Sequence, residues 1–200
     1  MSKLTLLQFN DPAPDLELLN GAGQPVRLSS LWQKQVLILA FTRHFGCPQC
    51  KEMLAELSEL RPRLTAGKLG LAIVTQAEPQ AAQAFCAQHA PGLACLADPA
   101  RLAYQAYGLG RASLFQSVLS PRVMKSNQRL EREKGWKPEM PPSGQDAFQM
   151  SGTFVIGTDG RIRLPYYYDD IADHPSADLL LRGLMGMDWA TPLDSPLKPE

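Results

Sequence analysis

The sequence is short of several things, and each shortage excludes something. It has no charge excess, with 20 Lys and Arg against 20 Asp and Glu. No basic face is implied, so neither a nucleic-acid partner nor an anionic membrane surface is expected. No apolar run approaches the roughly 20 residues of a membrane span. Residues 1–15 hold one lysine and a brief apolar patch before Asn10-Asp11-Pro12, too short and too polar for an export signal. A cytoplasmic setting is therefore expected, where thiols are kept reduced. Cysteine and histidine are scarce, at 4 and 3 residues. There is no second Cys-x-x-Cys and no close histidine pair. His44, Cys47 and Cys50 alone make an incomplete zinc set, and no metal is expected. No internal repeat or low-complexity tract is present.

What remains is an ordinary globular composition, 44% apolar over 200 residues, enough for one domain with a proper core. The chain is organised around Phe41–Cys50, FTRHFGCPQC. Before it lies a continuous apolar run, Val36–Phe41, which reads as a strand buried on both faces. After it, Met53, Leu54, Leu57 and Leu60 recur at helical spacing, with Glu52, Glu56 and Glu59 opposite. Pro48 suits the first helical turn. Cys47 and Cys50 thus sit at a strand-to-helix junction, where free N–H groups and the helix dipole favour a thiolate. A Cys-x-x-Cys in a reducing compartment points to redox chemistry.

The rest of the chain alternates. Asp15–Leu19 and Val26–Leu28 read as a hairpin about Asn20–Gly23, followed by a short turn that Ser29 or Ser30 caps. Leu69–Thr75 is a second buried strand, Gln80–Gln88 a helix, Leu93–Leu96 a short strand and Asp98–Tyr104 a helix. This order predicts a partly parallel sheet with helices on both faces. Residues 112–149 break the rhythm with a charged stretch, Lys125–Lys137, followed by Pro138, Pro141 and Pro142, and read as an insertion over the domain. Thr153–Ile156, the turn at Thr158–Gly160 and Arg161–Leu164 form a late hairpin, with Pro165 at a strand end or sheet edge. Asp178–Met185 is a final helix. The expected organisation is an arm at 1–12, one domain at 13–188 and a tail at 189–200. Cys86 and Cys95 read as core packing, and His89 and His174 as surface turn residues.

Four ordered stretches carry a resemblance: Ala13–Trp32, Val36–Cys50, Leu96–Leu109 and Ser151–Arg163. The chain resembles the peroxiredoxin-like branch of the AhpC/TSA (alkyl hydroperoxide reductase/thiol-specific antioxidant) family, in the thioredoxin-like superfamily. The resemblance implies an α/β thioredoxin-like fold, a central mixed sheet flanked by helices, with an N-terminal β-hairpin and an insertion before the final strand pair. Typical members place Pro and Thr or Ser seven and three residues before the reactive cysteine; here those positions hold Ala40 and His44. They also place Arg before the Gly of the late strand, and here Ser151 precedes Gly152. Arg43 is the cation available to replace it.

On this basis Cys47 is the expected nucleophile and Cys50 the resolving thiol, with Arg43 and His44 stabilising negative charge on a leaving oxygen. The resemblance implies that Thr153 and Gly152 lie opposite and contact substrate. It also implies no bound cofactor, an external dithiol reductant such as a thioredoxin or glutathione system, and allows a homodimer. Three functions stay open. One is reduction of hydroperoxides, and another is protein dithiol–disulfide exchange through the same pair. The third is a non-catalytic redox-sensing or partner-binding module that uses residues 112–149 as its surface.

Overall fold

The computed structural model describes residues 5–183 and Trp189. The expected tail, apart from Trp189, and the last residues of the expected final helix lie outside the described residues. An N-terminal hairpin of β1 (Glu17–Leu19) and β2 (Pro25–Arg27) leads into α1 (Ser29–Trp32). There follow β3 (Val36–Phe41), α2 (Pro48–Ala66), β4 (Leu69–Thr75), α3 (Pro79–His89), β5 (Ala94–Ala97) and α4 (Leu102–Ala106). After a π-helical turn at Phe115–Leu119 come α5 (Pro121–Lys134), β6 (Gly152–Ile156), β7 (Ile162–Tyr167) and α6 (Ala177–Arg182).

The seven strands form one sheet in the order β2-β1-β5-β4-β3-β6-β7. β3 runs parallel to β4, and β4 to β5, while β6 is antiparallel to β3 and β7 to β6. β3 is central, and its alternation explains its composition. Val36, Ile38 and Ala40 enter a core with Leu54, Leu57 and Leu60 of α2. Leu37, Leu39 and Phe41 enter the other, with Tyr104, Tyr107 and Phe154. Side chains alternate across a strand, so a strand covered on both faces must be apolar at every position. At about 1.5–3 kcal/mol for each large side chain buried, these positions fix the register of the sheet.

Several details differ from the expected reading. The turn at α1 is held by Asp15, whose Oδ1 accepts the Ser29 N–H at 2.9 Å, and neither Ser29 nor Ser30 caps it with a side chain. The helix expected from Asp98 starts at Leu102, because the Asp98 carboxylate accepts the Leu102 and Ala103 N–H groups at 3.0 and 2.8 Å. Pro165 takes the second of its two expected places, a sheet edge, because β7 is an edge strand, and that strand runs on past it to Tyr167. The N-terminal arm covers that edge: Asn10 N–H donates to the Ile162 carbonyl at 2.8 Å and Ile162 N–H to that of Asp11 at 2.9 Å.

The largest correction concerns Cys86 and Cys95. They are core residues, as expected, but they are bonded to each other, joining the last turn of α3 to β5 with Cα atoms 6.4 Å apart. A helix end packed on its following strand brings together positions nine apart, a separation that matches no local motif.

The excursion at 112–149 closes on itself. Ala112 N–H donates to the Phe148 carbonyl at 2.7 Å and Met150 N–H to that of Gly110 at 2.9 Å. Within it, α5 buries Val123 and Leu130 and meets α2 through Arg129 and Glu52 at 2.7 Å. Among the described residues no helix is long and apolar enough to cross a membrane.

Candidate active site

The carboxyl end of a buried parallel strand followed by a helix N-terminus is where α/β sheets place ligands. Here β3 ends at Phe41 and α2 begins at Pro48, with Cys47 as the N-cap in an extended conformation, φ −85° and ψ 114°. Proline at the first helical position loses no hydrogen bond, and the chain turns sharply into the helix. Cys50 follows on the first turn. Both thiols are free and buried.

Arg43 reaches this pair from the strand end. Its Nη1 lies 3.6 Å from Cys47 Sγ, and its backbone N–H donates to Cys50 Sγ at 3.3 Å. The guanidinium is aimed by two carbonyls of the excursion, Gln149 O at 3.1 Å from Nε and Ala147 O at 2.5 Å from Nη2. Burial alone would raise the Cys47 pKa. The Cys50 thiol, the Arg43 charge and the Cys50 backbone N–H outweigh it and hold Cys47 below the ordinary thiol range. Cys50, buried beside a more acidic thiol, is pushed up. The geometry therefore separates the two sulfurs into a more acidic thiol and a protonated neighbour.

His44 is brought to the same place with a different character. Burial, then the neighbouring Arg43 charge, lowers its pKa to about 4, so the ring is neutral near pH 7. Its Nδ1 is buried without a partner, and the ring is not hydrogen-bonded to either sulfur. Among the described residues no three His, Cys, Asp or Glu side chains are placed to hold a metal ion.

Thr153 and Gly152 are not brought into this site. Thr153 pairs with Ala40 across β3 and β6, and its hydroxyl lies 2.7 Å from Tyr168 Oη, which donates to Met53 Sδ at 3.0 Å. Gly152 pairs with Phe41, and a Cβ there would press 2.7 Å from Leu109 Cδ2, which gives the glycine a packing role. Neither lines the cavity beside Cys47.

That cavity has a volume of about 220 Å³. Arg43, His44, Cys47 and Gln49 form one wall, and Asn127, Met140 and Phe148 of the excursion form the other. The excursion is clamped onto the cysteine loop by hydrogen bonds to its backbone. Glu139 N–H donates to the Gly46 carbonyl at 2.9 Å, and Phe45 N–H donates to Gln145 Oε1 at 2.9 Å. A Cβ on Gly46 would collide with the Glu139 carbonyl, so only glycine permits this approach. Gln76 completes the clamp, its Oε1 accepting Asp146 N–H at 2.7 Å and its Nε2 donating to the Arg43 carbonyl at 2.5 Å. Gln49, Gln76, Asn127 and Gln145 were not singled out from the sequence. Each is a common polar type whose partner is distant in the chain.

With this geometry in place, comparison with known proteins is informative. A peroxiredoxin-like 2C protein of Bos taurus is 24% identical over 184 residues, 88% of this chain and 81% of that one. Among solved structures, peroxidoxin BcpB of Mycobacterium tuberculosis superposes with a TM-score of 0.60 at 18% identity, covering 83% of this chain and 90% of that one. A Chlorobium tepidum protein described as a thiol:disulfide interchange protein DsbE gives 0.55 at 18% identity, covering 80% and 86%. The two superpositions show a shared thioredoxin-like architecture. Residues 9–164 match the AhpC/TSA family. That match takes in β1 to β6, the start of β7, the cysteine loop and the excursion that roofs it, and the chain belongs to the AhpC/TSA family as a peroxiredoxin-like protein.

Proposed function

We propose that this protein is a thiol-dependent hydroperoxide reductase. The observation that carries the reading is the Arg43 guanidinium 3.6 Å from the Cys47 sulfur at the N-cap of α2. It supplies a cation where the family's usual late-strand arginine is replaced by Ser151. The Cys47 thiolate attacks the terminal oxygen of a hydroperoxide. The O–O bond breaks, Cys47 becomes a sulfenic acid, and the leaving alkoxide takes a proton to give alcohol, or water from hydrogen peroxide. Arg43 is placed to offset the charge that develops on the leaving oxygen. The Cys50 thiol then attacks the sulfenic sulfur, forming the Cys47–Cys50 disulfide and releasing water. An external dithiol or two small thiols, such as a thioredoxin or glutathione, return the pair to the reduced state by exchange.

The experiment is hydroperoxide consumption with a dithiol reductant, for the wild type and Cys47→Ser. Turnover in the wild type and none in the variant is expected; equal rates refute the reading. A second reading, dithiol–disulfide exchange on protein substrates, is favoured by two features. The thiol acceptor Cys50 stands on the first turn of the same helix, and the usual threonine position holds His44. Reduction of an insulin-like disulfide without peroxide turnover selects it.

A further inference from the structure

Cys47 is hydrogen-bonded to the excursion by a route that neither reading uses. Gln49 is the second residue of α2 and is 3% exposed. Its Oε1 accepts from the Cys47 thiol at 3.5 Å. Its Nε2 donates to Asn127 Oδ1 of α5 at 2.6 Å, with Ser126 Oγ at 3.4 Å. Two carboxamides in series therefore connect the reactive sulfur to the roof of its cavity.

A carboxamide is nearly symmetric in shape, with an acceptor oxygen and a donor NH₂ at interchangeable positions. A thiol donates a hydrogen bond, and a thiolate only accepts one. The arrangement Cys47 S–H to Gln49 Oε1, Gln49 Nε2–H to Asn127 Oδ1 fits the protonated thiol. It sets an oxygen lone pair against the sulfur and so opposes the thiolate that Arg43 favours. Turning both amides by half a rotation keeps every heavy atom in place and reverses each bond. Asn127 Nδ2–H then donates to Gln49 Oε1, and Gln49 Nε2–H donates to the sulfur. We propose that Gln49 and Asn127 are paired positioning residues whose concerted amide reversal lets one cavity serve both the thiol and the thiolate of Cys47. The thiol proton leaves to water in the cavity, and no group in the chain other than Cys47 changes charge. The inference needs only an ionising Cys47 and does not depend on peroxide being the substrate.

Of the titratable and charged groups around the site, Cys50 on α2 and Arg43 on the loop act on the sulfur, Lys51 on α2 and Asp146 on the excursion act on the neighbouring His44, and Glu139 of the excursion pairs with Lys51. The Arg129–Glu52 pair joins α5 to α2. None of these changes in the comparisons that follow.

Substitution at Asn127 tests the reversal. Asn127→Asp offers only acceptors, pins Gln49 Nε2 toward α5 and leaves Oε1 against the sulfur. The rate of Cys47 alkylation by iodoacetamide, measured by peptide mass mapping from pH 4 to 9, reports the thiolate. Asn127→Asp is expected to move the midpoint up by about one unit, a fall of about tenfold in rate on the acid side. With Gln49→Leu already present, the same substitution is expected to cost less than about threefold, the residue of its bare charge. An equal shift in both backgrounds, or no shift in either, overturns the proposal. Asn127→Leu provides an independent arm, because it frees Gln49 to donate to the sulfur. A midpoint at or below that of the wild type supports the pairing; a raised midpoint overturns it.

Discussion

The molecule holds two cysteine pairs, and burial does not distinguish them. Cys47 and Cys50 are 1% and 4% exposed; Cys86 and Cys95 are 2% and 7%. Their surroundings differ instead. Cys47 caps the N-terminus of a 19-residue helix, where the dipole and free N–H groups favour negative sulfur, and a guanidinium stands 3.6 Å away. Cys86 lies in the last turn of α3, where the dipole opposes a thiolate, and both partners sit among apolar side chains. The first pair is free and the second is bonded. The difference in reactivity expected between the two pairs follows from what faces the sulfur, not from how deeply it is buried.

The broadest way to break this comparison is to label all four cysteines in the folded protein. Iodoacetamide at pH 7 without reductant is expected to modify Cys47 on the order of a hundredfold faster than Cys50, since the two thiol pKa values are driven apart. Cys86 and Cys95 are expected to remain unlabelled. Equal labelling of Cys47 and Cys50 would remove the proposed distinction between nucleophile and resolving thiol. A smaller effect is expected on stability. The Cys86–Cys95 bond closes a loop with a sequence separation of 9, which contributes roughly 2–3 kcal/mol by chain-entropy reasoning. Urea unfolding of Cys86→Ala/Cys95→Ala should show that loss while the Cys47 alkylation profile stays within about twofold. A change in that profile would mean that the two pairs communicate, for instance through Phe85, which stacks on Phe45 at 3.9 Å.

The contrast also explains what could be read in advance. β3, β4 and α2 were legible because their signals are local: continuous apolar runs and a 3.6-residue period, cut by Pro48 and Gly67. Cys47 and Cys50 were legible for the same reason. Thr153 and Gly152 were assigned to substrate through the resemblance alone, and their side-chain environment is the sheet and Tyr168 instead. The Cys86–Cys95 bond depends on how a helix end packs on a strand, and its spacing repeats no motif. The polar shell is harder still. Arg43 and Gln149 are 106 residues apart, Gln49 and Asn127 are 78, and Gln76 and Asp146 are 70. A hydrogen bond between two common polar residues leaves no trace in the sequence near either, so the roof over Cys47 was visible only as an interruption.

Arg43 offers the finest test of why the two pairs differ, because it separates charge from geometry. Arg43→Met keeps much of the apolar stem but removes the cation and both excursion contacts, Gln149 O and Ala147 O. Loss of the positive charge disfavours the Cys47 thiolate, so the alkylation midpoint should rise. Below the midpoint each unit of rise costs about tenfold in rate, and about one unit is expected. Arg43→Lys restores a charge without the planar fork that the two carbonyls hold. If charge alone sets the thiolate, lysine returns the midpoint to that of the wild type. If the excursion must aim the cation, lysine recovers less than half of the shift, because a flexible ammonium has no fixed approach to the sulfur. The second outcome is expected from the geometry, and it would make the roof a determinant of thiol acidity as well as of access. Full rescue by lysine would confine the roof to shaping the cavity.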